Sequence, residues 1–325
     1  MSDFAFRTIA ARERGAVLDL LAHWFGDRAF FARYFDDDCG FRDDLCFVAT
    51  HRGMVVSTLQ VFGKRVRMGG ALLEVGGIGN VFTAAAYRDR GLASQLLTRA
   101  IAAMEVHGFD LSLLFAVRLA FYGRLGWQSH VRHLVFIDRS NVSPGGRYAV
   151  APFESSDLPA VMDIYDEYNA AFNGSTVRDE RYWAGQLRCA GNPREDFFVA
   201  RDHGHIVAYA RGTPLYDFYV IQEHGYRPGY ADALTQLVCL LHGTVGMAQP
   251  GTITQLGVDP AVRTELRERG MTLRTVEDVF WMWRIISASR VAAKLHVRSE
   301  ELDSDDVFAR LLPPSQSVYW IADRF

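Results

Sequence analysis

The sequence predicts an α/β (α+β) protein of two tandem, similar domains, each a mixed sheet flanked by helices, followed by a short C-terminal extension. Two observations predict this fold class. A pattern of alternating apolar residues around a glycine occurs once in each half of the chain. In the first half, an apolar strand also runs through a short basic loop into a long helix, as is typical of units that mix strands and helices.

The repeated pattern reads FVATHRGMVV at residues 47–56 and FVARDHGHIV at residues 198–207. Alternation of apolar and polar residues on both sides of a glycine predicts a β-hairpin in each copy. A strand and then helical segments precede each hairpin, at residues 4–35 and 148–189. The sequence therefore predicts one structural unit that occurs twice.

Turn-forming residues mark the boundary between the two units, since residues 140–146 read SNVSPGG. We predict a first domain at residues 1–145 and a second at residues 146–287. The remaining residues, 288–325, are too few for a further domain. They include the apolar run at residues 318–321, so we predict a packed C-terminal tail.

The composition excludes several classes of protein. With 49% hydrophobic and 22% charged residues, the 325-residue chain has the values of a globular protein. A net charge of -3 gives no reason to expect a nucleic-acid partner. The apolar stretches are too short to span a bilayer and residues 1–4 begin no signal peptide, so we expect a cytoplasmic protein without a membrane partner. The four cysteines form no C-x-x-C pair, and no metal is expected.

The most informative segment is the loop and helix start at residues 87–94, YRDRGLAS. The first N–H groups of a helix have no partner within it, and the helix dipole favours negative charge there, so a phosphate group fits. Gly91 allows close approach of the backbone, and Arg88 and Arg90 add positive charge. Taken alone, the segment fits equally well with a helix that merely begins with surface arginines.

A second motif, FYGRLGW at residues 121–127, follows a second apolar strand at residues 111–117. Together the two motifs resemble the signatures of the GNAT N-acetyltransferase superfamily, which are Gln/Arg-x-x-Gly-x-Gly/Ala and Tyr-x-x-x-Gly-aromatic. The residues that match are Arg88, Gly91 and Ala93 in the first signature and Tyr122, Gly126 and Trp127 in the second.

The resemblance implies that acetyl-coenzyme A is the co-substrate and lies between two splayed strands, here residues 78–83 and 111–117. In that family the pantetheine arm pairs with the exposed strand edge, and the pyrophosphate binds the loop and helix start. The glycines at positions 76, 77 and 79 suit a bulge or a close backbone approach there. The coenzyme-binding residues implied are Val81, Phe82, Thr83, Arg88, Asp89, Arg90, Gly91, Leu92, Ala93 and Ser94.

Tyr122 is the predicted general acid. A phenol with a pKa near 10 can protonate a thiolate whose conjugate acid lies roughly 1–2 units lower. The resemblance implies the same role, whereas the alternative is a tyrosine buried for packing. The base is less clear, because many GNAT enzymes carry a glutamate on the strand before the loop. Gly77 occupies that position here, and Glu74 lies three residues earlier.

The tandem arrangement and the Tyr-Gly-Arg-x-Gly-aromatic wording resemble, more closely, the Eis (enhanced intracellular survival) acetyltransferases. In that family an aromatic C-terminal residue brings its α-carboxylate into the first domain's site as the base, which implies Phe325 here. A terminal carboxylate has an ordinary pKa of about 3.5, and desolvation raises it. Glu74, a water molecule, or a frayed tail with no catalytic role remain the alternatives.

The chain departs from that family in two places. It lacks most of the sterol-carrier-type domain that normally precedes the C-terminus, and residues 117–118 read Val-Arg where Ser-Glu is usual. The second-half copies of the two motifs, at residues 226–231 and 266–271, replace the arginine by tyrosine and the tyrosine by leucine. The second domain is therefore predicted to be degenerate and to have lost coenzyme binding.

The predicted function is an acetyl-coenzyme A-dependent N-acetyltransferase, in which a primary amine attacks the thioester directly. Acidic residues at positions 36–44, beside an aromatic helical segment, suit a small cationic substrate, and the resemblance to Eis-like enzymes implies a polyamino one. Eis relatives form symmetric assemblies, so a homo-oligomer is an expectation. The alternatives are a non-catalytic acyl-coenzyme A-binding or regulatory GNAT-like protein and a transferase that uses a longer acyl donor.

Overall fold

The computed structural model describes residues 4–190, 195–215, 217–245 and 249–325. Strands and helices alternate along these ranges. The strands are β1 (Phe4–Thr8), β2 (Cys46–His51), β3 (Met54–Met68), β4 (Ala71–Thr83), β5 (Leu111–Phe115), β6 (Gln128–Ser129), β7 (Arg132–Asp138), β8 (Ala149–Pro152), β9 (Asp196–Asp202), β10 (His205–Leu215), β11 (Phe218–Tyr226), β12 (Gly251–Thr254), β13 (Leu273–Asp278) and β14 (Trp281–Ile285).

The helices lie between and after these strands. The α-helices are α1 (Arg14–Phe25), α2 (Arg28–Asp36), α3 (Leu92–Val106), α4 (Leu119–Gly123), α5 (Leu158–Asn169), α6 (Glu180–Ala190), α7 (Ala231–Gly243), α8 (Pro260–Glu268), α9 (Ala288–Leu295) and α10 (Val307–Leu311). Short 3-10 helices lie at Ala11–Glu13, Asp43–Leu45, Ala85–Tyr87, Ser155–Asp157, Ser299–Leu302 and Ile321–Asp323.

The strands form two mixed sheets of seven strands each, as the fold class predicts. The first has the order β1-β2-β3-β4-β5-β14-β6 and the second the order β13-β7-β12-β11-β10-β9-β8. In each sheet only one pair of neighbouring strands is parallel, β4 with β5 and β11 with β12. The two sheets are therefore built on the same plan.

Both predicted hairpins are present, as β2–β3 and β9–β10. Their turns place two residues each at positive φ, Arg52 and Gly53 in the first and His203 and Gly204 in the second. Two consecutive residues at positive φ match the twist of antiparallel strands, and glycine meets that requirement at little cost. The repeat in the sequence is thus a repeat in structure.

The two halves of the chain exchange one strand. The strand β7 lies in the second sheet between β13 and β12, although it precedes the linker at residues 140–146. Conversely, β14 lies in the first sheet between β5 and β6. Each half therefore completes the other half's sheet, and the backbone hydrogen bonds of these strands join the two halves.

Helices cover both sheets. Leu96, Leu97, Ala100 and Met104 of α3 pack on one face of the first sheet, and α7 covers the second sheet in the same way. Helices α9 and α10 pack on the other face of the first sheet, around Trp283. Burial of such large side chains stabilises each layer by about 1.5–3 kcal/mol per residue.

The last residues of the chain are packed. Val318, Tyr319 and Trp320 are each at most 3% exposed, and Trp320 joins the core formed by α5, α6 and the second sheet. The indole of Trp320 donates a hydrogen bond of 2.9 Å to Oδ1 of Asn169. The tail is therefore fixed against the second half before it reaches the first sheet.

Candidate active site

The strands β4 and β5 diverge, and this divergence opens a cleft. Their parallel pairing runs from Val75 opposite Leu111 to Ile78 opposite Leu114. Beyond Ile78, β4 continues to Thr83 without β5 as a partner. A bulge against β3 between Thr58 and Gln60 bends β4 at this point, where Asn80 has a φ of 52°. A bulge turns a strand away from its neighbour. The splayed strands that the sequence predicts are therefore present.

The cleft has a volume of about 740 Å³ and brings the predicted coenzyme residues together, with the exception of Arg90. Its floor comes from the free end of β4, one side from the loop and start of α3, and the other from the end of β5 and from α4. The lining residues are Val81, Phe82, Thr83, Tyr87, Arg88, Asp89, Gly91, Leu92, Ala93, Ser94, Phe115, Ala116, Val117, Arg118, Phe121, Tyr122 and Arg124.

The N-terminus of α3 faces this cleft with its backbone. Gly91 is the N-cap with a φ of 73°, and no side chain caps the helix. The N–H groups of Leu92, Ala93 and Ser94 have no acceptor within the helix, and they point toward the N-terminal, positive end of the dipole. This arrangement suits an anion such as a pyrophosphate.

The two arginines of the loop differ in position. Arg88 lines the cleft, donates from Nε to the carbonyl of Thr83 at 3.3 Å, and holds its guanidinium 5.8 Å from the ring of Phe82. Arg90 instead donates to the carbonyl of Ala86 at 3.2 Å and lies over the ring of Tyr87. Arg90 is thus beside the cleft rather than in its wall.

Tyr122 lies on α4 in the opposite wall of the cleft and is half-buried. Its ring packs edge-on against Phe121 and Trp127, at centroid distances of 4.9 and 6.3 Å. Within the described part of the chain its hydroxyl makes no hydrogen bond, so packing alone holds the ring. Burial raises the pKa of the Tyr122 phenol to about 12, and the guanidinium of Arg118 opposes this shift. The phenol therefore carries its proton at neutral pH.

Two structural features require glycine at position 126 in the second motif. Gly126 has a φ of 88°, and a Cβ there would collide with the guanidinium of Arg284, which donates a hydrogen bond to the carbonyl of Leu125. The buried Trp127 that follows donates from its indole to Oγ of Ser112 at 3.3 Å. The motif thus fixes the turn that sets the position of Tyr122.

Phe325 lies where the two strands diverge. Its ring stacks on Phe62 at 5.9 Å and covers the bare backbone of Gly77, where a Cβ would lie 2.5 Å from Cε1 of the ring. Its carboxyl carbon would be 3.4 Å from a Cβ on Gly79, the first β4 residue beyond the last pair with β5. The ring of Phe325 therefore covers Gly77, the position at which the family resemblance led us to look for a strand glutamate.

Glu74, the other carboxylate considered as a base, lies away from this point. Residues two apart on a strand share a face, so Glu74 lies on the face of Gly76, which packs against Met104 of α3. Gly77 and Phe325 lie on the other face. The cross-strand partner of Glu74 is Arg65, in the closed part of the sheet.

A second cavity of about 360 Å³ lies on the other side of the tail. Helices α2 and α6, the centre of the second sheet and the C-terminal tail enclose it. Its lining residues are Asp27, Phe30, Arg33, Tyr34, Asp38, Cys39, Lys64, Tyr182, Gly185, Gln186, Thr213, Gln222, Ile321, Ala322 and Arg324. The sequence predicts the aromatic residues of α2 near a substrate pocket. It does not predict the lining residues from the second half of the chain, because no local pattern connects segments that are distant in the sequence.

Arg324 separates the two cavities. It lines the second cavity, and its guanidinium lies 3.9 Å from the ring centroid of Phe115, which lines the cleft. The Nζ of Lys64, in the wall of the second cavity, lies 5.8 Å from the ring centroid of Phe325. The end of the chain is thus placed between a cleft suited to the coenzyme and a smaller, mixed polar and aromatic cavity.

The described residues contain no cluster of histidine, cysteine and acidic side chains that could hold a metal ion. No helix among them combines the length and apolar character needed to cross a membrane. Cys39, Cys46 and Cys239 are free thiols, and the side chain of Cys189 lies outside what the structure describes.

Comparisons with known proteins agree with this geometry. Residues 5–129 match the family described as an acetyltransferase (GNAT) domain. An uncharacterized N-acetyltransferase of Streptomyces avermitilis is 26% identical over 166 residues, which are 47% of this chain and only 40% of that relative.

Solved structures share the fold over most of the chain. A GCN5-related N-acetyltransferase from Kribbella flavida superposes with a TM-score of 0.68 at 18% identity, covering 90% of this chain and 73% of that one. Eis1 from Mycobacterium abscessus superposes with a TM-score of 0.60 at 15% identity, covering 90% and 75%. Residues 5–129 are therefore similar to a GNAT acetyltransferase domain, and most of the chain shares its fold with these solved acetyltransferase structures.

Proposed function

We propose that this protein is an acetyl-coenzyme A-dependent N-acetyltransferase that acts on a primary amine of a small molecule. The observation that carries the proposal is the position of Phe325. Its carboxyl carbon lies at the divergence of β4 and β5, in the same half of the chain as the cleft that Tyr122 lines. A carboxylate and a phenol are the two groups that acyl transfer to an amine requires, one to accept and one to donate a proton.

The cleft residues fit the coenzyme. The backbone of Val81, Phe82 and Thr83 offers an unpaired strand edge, because β5 has already turned away. The N–H groups at the start of α3 and the guanidinium of Arg88 provide for the pyrophosphate. When bound, the coenzyme supplies the thioester whose carbonyl carbon is the electrophile.

The chain's own residues then handle the protons. We assign the α-carboxylate of Phe325 as the base that takes a proton from the amine, directly or through one water molecule. As the nitrogen–carbon bond forms and the carbon–sulfur bond breaks, the hydroxyl of Tyr122 donates its proton to the departing sulfur. No acyl-enzyme is needed, since amine and thioester approach from the two sides of the tail.

The second cavity is the proposed site of the amine. Asp38 and Asp27 lie in its wall, and the aromatic rings of Phe30 and Tyr34 line the same side. Carboxylates and aromatic faces attract cationic ligands. Arg33, Lys64 and Arg324 lie in the same wall, so the lining supports a small amine without favouring a polyamino compound.

A thiol-release assay with acetyl-coenzyme A and a panel of mono-, di- and polyamines tests the proposal. We expect turnover with at least one amine of the panel. Adding one glycine after Phe325 moves the carboxylate away from Gly79, and we expect kcat to fall about 100-fold. Full activity of the extended protein would exclude the terminal carboxylate as the base.

The second candidate is a non-catalytic acyl-coenzyme A-binding protein. It is favoured by Gly77, because β4 carries no carboxylate on the face of Gly77 and its Glu74 lies on the opposite face. Tight coenzyme binding without thiol release on any amine of the panel would support this candidate over the enzyme.

A further inference from the structure

The C-terminal tail is anchored in the second half of the chain by a buried ion pair. Asp323, two residues before Phe325, has a fully buried side chain, and its Oδ1 accepts hydrogen bonds from Nε of Arg178 at 3.0 Å and from the hydroxyl of Tyr182 at 2.8 Å. Gln186 donates to the carbonyl of Ala322 at 3.1 Å. These partners lie on α6 and in the segment before it.

Arg178 is itself held firmly. Its side chain is fully buried, and Nη2 donates to Oε2 of Glu223 on β11 at 2.5 Å. The guanidinium lies between the rings of Tyr165 and Trp183, at 4.1 and 4.5 Å from their centroids. One arginine thus bridges a carboxylate of the second sheet and a carboxylate of the tail.

The ion pair persists at neutral pH. Burial alone would raise the pKa of Asp323, but the Arg178 guanidinium and its hydrogen bonds outweigh burial, and the pKa lies below its ordinary value. Separating a buried ion pair would leave each charge uncompensated in the protein interior. The cost of that uncompensated charge keeps the two partners together.

The tail also occupies the counterpart of the cleft in the second sheet. There β11 and β12 pair at only two positions, Tyr219 with Thr252 and Val220 with Ile253, and then separate. Gln255, just after β12, donates to the carbonyl of Tyr319 at 2.5 Å and accepts from its N–H at 3.2 Å. The backbone of the tail is thereby bound beside the separated strands of the degenerate half.

The distance from this anchor to the site is short. Two residues of extended chain span at most about 7 Å, so the position of Asp323 restricts where the carboxylate of Phe325 can lie. The anchor also touches the wall of the second cavity, because Nζ of Lys64 donates to the hydroxyl of Tyr182 at 2.7 Å, and that hydroxyl donates to Asp323.

We propose that Arg178 and Asp323 are positioning residues, through which the second half holds the Phe325 carboxylate in place for chemistry in the first half. The inference rests on the proposed function of that carboxylate. It gives the degenerate half a role in the reaction that does not require it to bind coenzyme.

The test is a double-mutant cycle in the full-length protein, using Asp323→Asn and the glycine added after Phe325. Asp323→Asn keeps the shape of the side chain and removes its charge. We expect it to lower kcat about 100-fold with little change in coenzyme affinity. In the glycine-extended protein, whose carboxylate is already displaced, the same substitution should change kcat less than about twofold, because its effect acts through that carboxylate.

Hydrogen exchange of residues 318–325 gives a readout that needs no turnover. We expect exchange in the tail to quicken in Asp323→Asn and to stay unchanged in Asp157→Asn. The control removes the charge of another buried aspartate, which pairs with Arg201 at 2.5 Å away from the tail. The control should also keep the kcat of the unaltered protein.

The outcomes separate the two proposals. Unchanged tail exchange in Asp323→Asn, or an equal loss of kcat in both backgrounds, would overturn the anchoring role. Absence of turnover in the unaltered protein would contradict the proposed function but not the anchoring role. Hydrogen exchange of the tail tests the anchoring role independently of turnover. Recovery of kcat in Asp323→Glu relative to Asp323→Asn would support a role of the charge.

Discussion

At the scale of single residues, Tyr122 combines a fixed ring with a hydroxyl that makes no hydrogen bond within the described part of the chain. We therefore expect Tyr122→Phe to remove the proton donor and little else. General acids contribute about 10²–10⁴-fold, so kcat should fall at least about 100-fold in steady-state assays. The coenzyme KM and the midpoint of thermal unfolding should change little, because the ring keeps its contacts.

Tyr230→Phe is the matched control, since the Tyr230 hydroxyl makes only a long contact of 3.4 Å with Asp202 in the second half. It should keep the kcat of the unaltered protein. Unchanged turnover in Tyr122→Phe would show that this tyrosine is a packing residue.

The raised pKa of Tyr122 gives a prediction about alkaline pH. A general acid works only while protonated, so activity that depends on it is lost as pH rises through its pKa. Because burial raises that pKa to about 12, we expect no tyrosine-linked loss of kcat up to about pH 10. The measurement is kcat at saturating substrates from neutral pH upward, together with circular dichroism to confirm the fold. A loss with a midpoint at or below pH 10 that Tyr122→Phe abolishes would contradict the raised pKa of the Tyr122 phenol.

At the scale of secondary-structure elements, the shape of β4 sets the site. Its glycines make room for the tail, and a Cβ on Gly77 would lie 2.5 Å from the Phe325 ring. We expect Gly77→Ala to push the ring and the carboxylate away and to lower kcat at least about tenfold, while coenzyme binding persists.

Gly243→Ala is the control for this substitution, because nothing lies within 4 Å of a Cβ at Gly243, at the end of α7. Steady-state kinetics of the two variants make the comparison. Equal and unchanged kcat values would show that the position of Phe325 does not matter to turnover.

The sequence predicted most elements near the site, for local reasons. Alternation around Gly53 and Gly204 specified the hairpins, because a tight turn and a period of two residues are local properties. The divergence of β4 and β5 was predicted from the family resemblance rather than from periodicity.

Strand partners were not predictable in the same way. The apolar patterns of β7 and β14 do not indicate which sheet each strand joins, because both sheets offer a similar edge. The contact of Asp323 with Arg178 was also out of reach, since it joins segments 145 residues apart in the sequence. Long-range contacts carry no periodic signal, so the sequence did not predict Lys64 as a neighbour of Phe325 or Tyr182 as a partner of Asp323.

At the scale of the whole molecule, two similar halves serve one site. The tail lies beside the separated strands of the second sheet, so we expect one coenzyme per chain by isothermal titration calorimetry. Two glycines provide a matched pair, because Gly91 and Gly229 have φ values of 73° and 87° and open space around a Cβ. Gly91→Ala should weaken coenzyme binding about tenfold, or about 1.4 kcal/mol.

Gly229→Ala carries the same backbone strain, of about 1–2 kcal/mol, but should leave coenzyme affinity unchanged. Two coenzyme molecules per chain, or equal loss of affinity in the two variants, would contradict the assignment of a single site to the first half.

The most direct measurement of the central claim is a crystal structure with coenzyme A bound. We predict that the pyrophosphate contacts the N–H groups of Leu92 to Ser94 and that the sulfur lies between the hydroxyl of Tyr122 and the carboxylate of Phe325. Coenzyme bound in the second half, or a sulfur atom in the first-half cleft that is remote from both groups, would contradict the account.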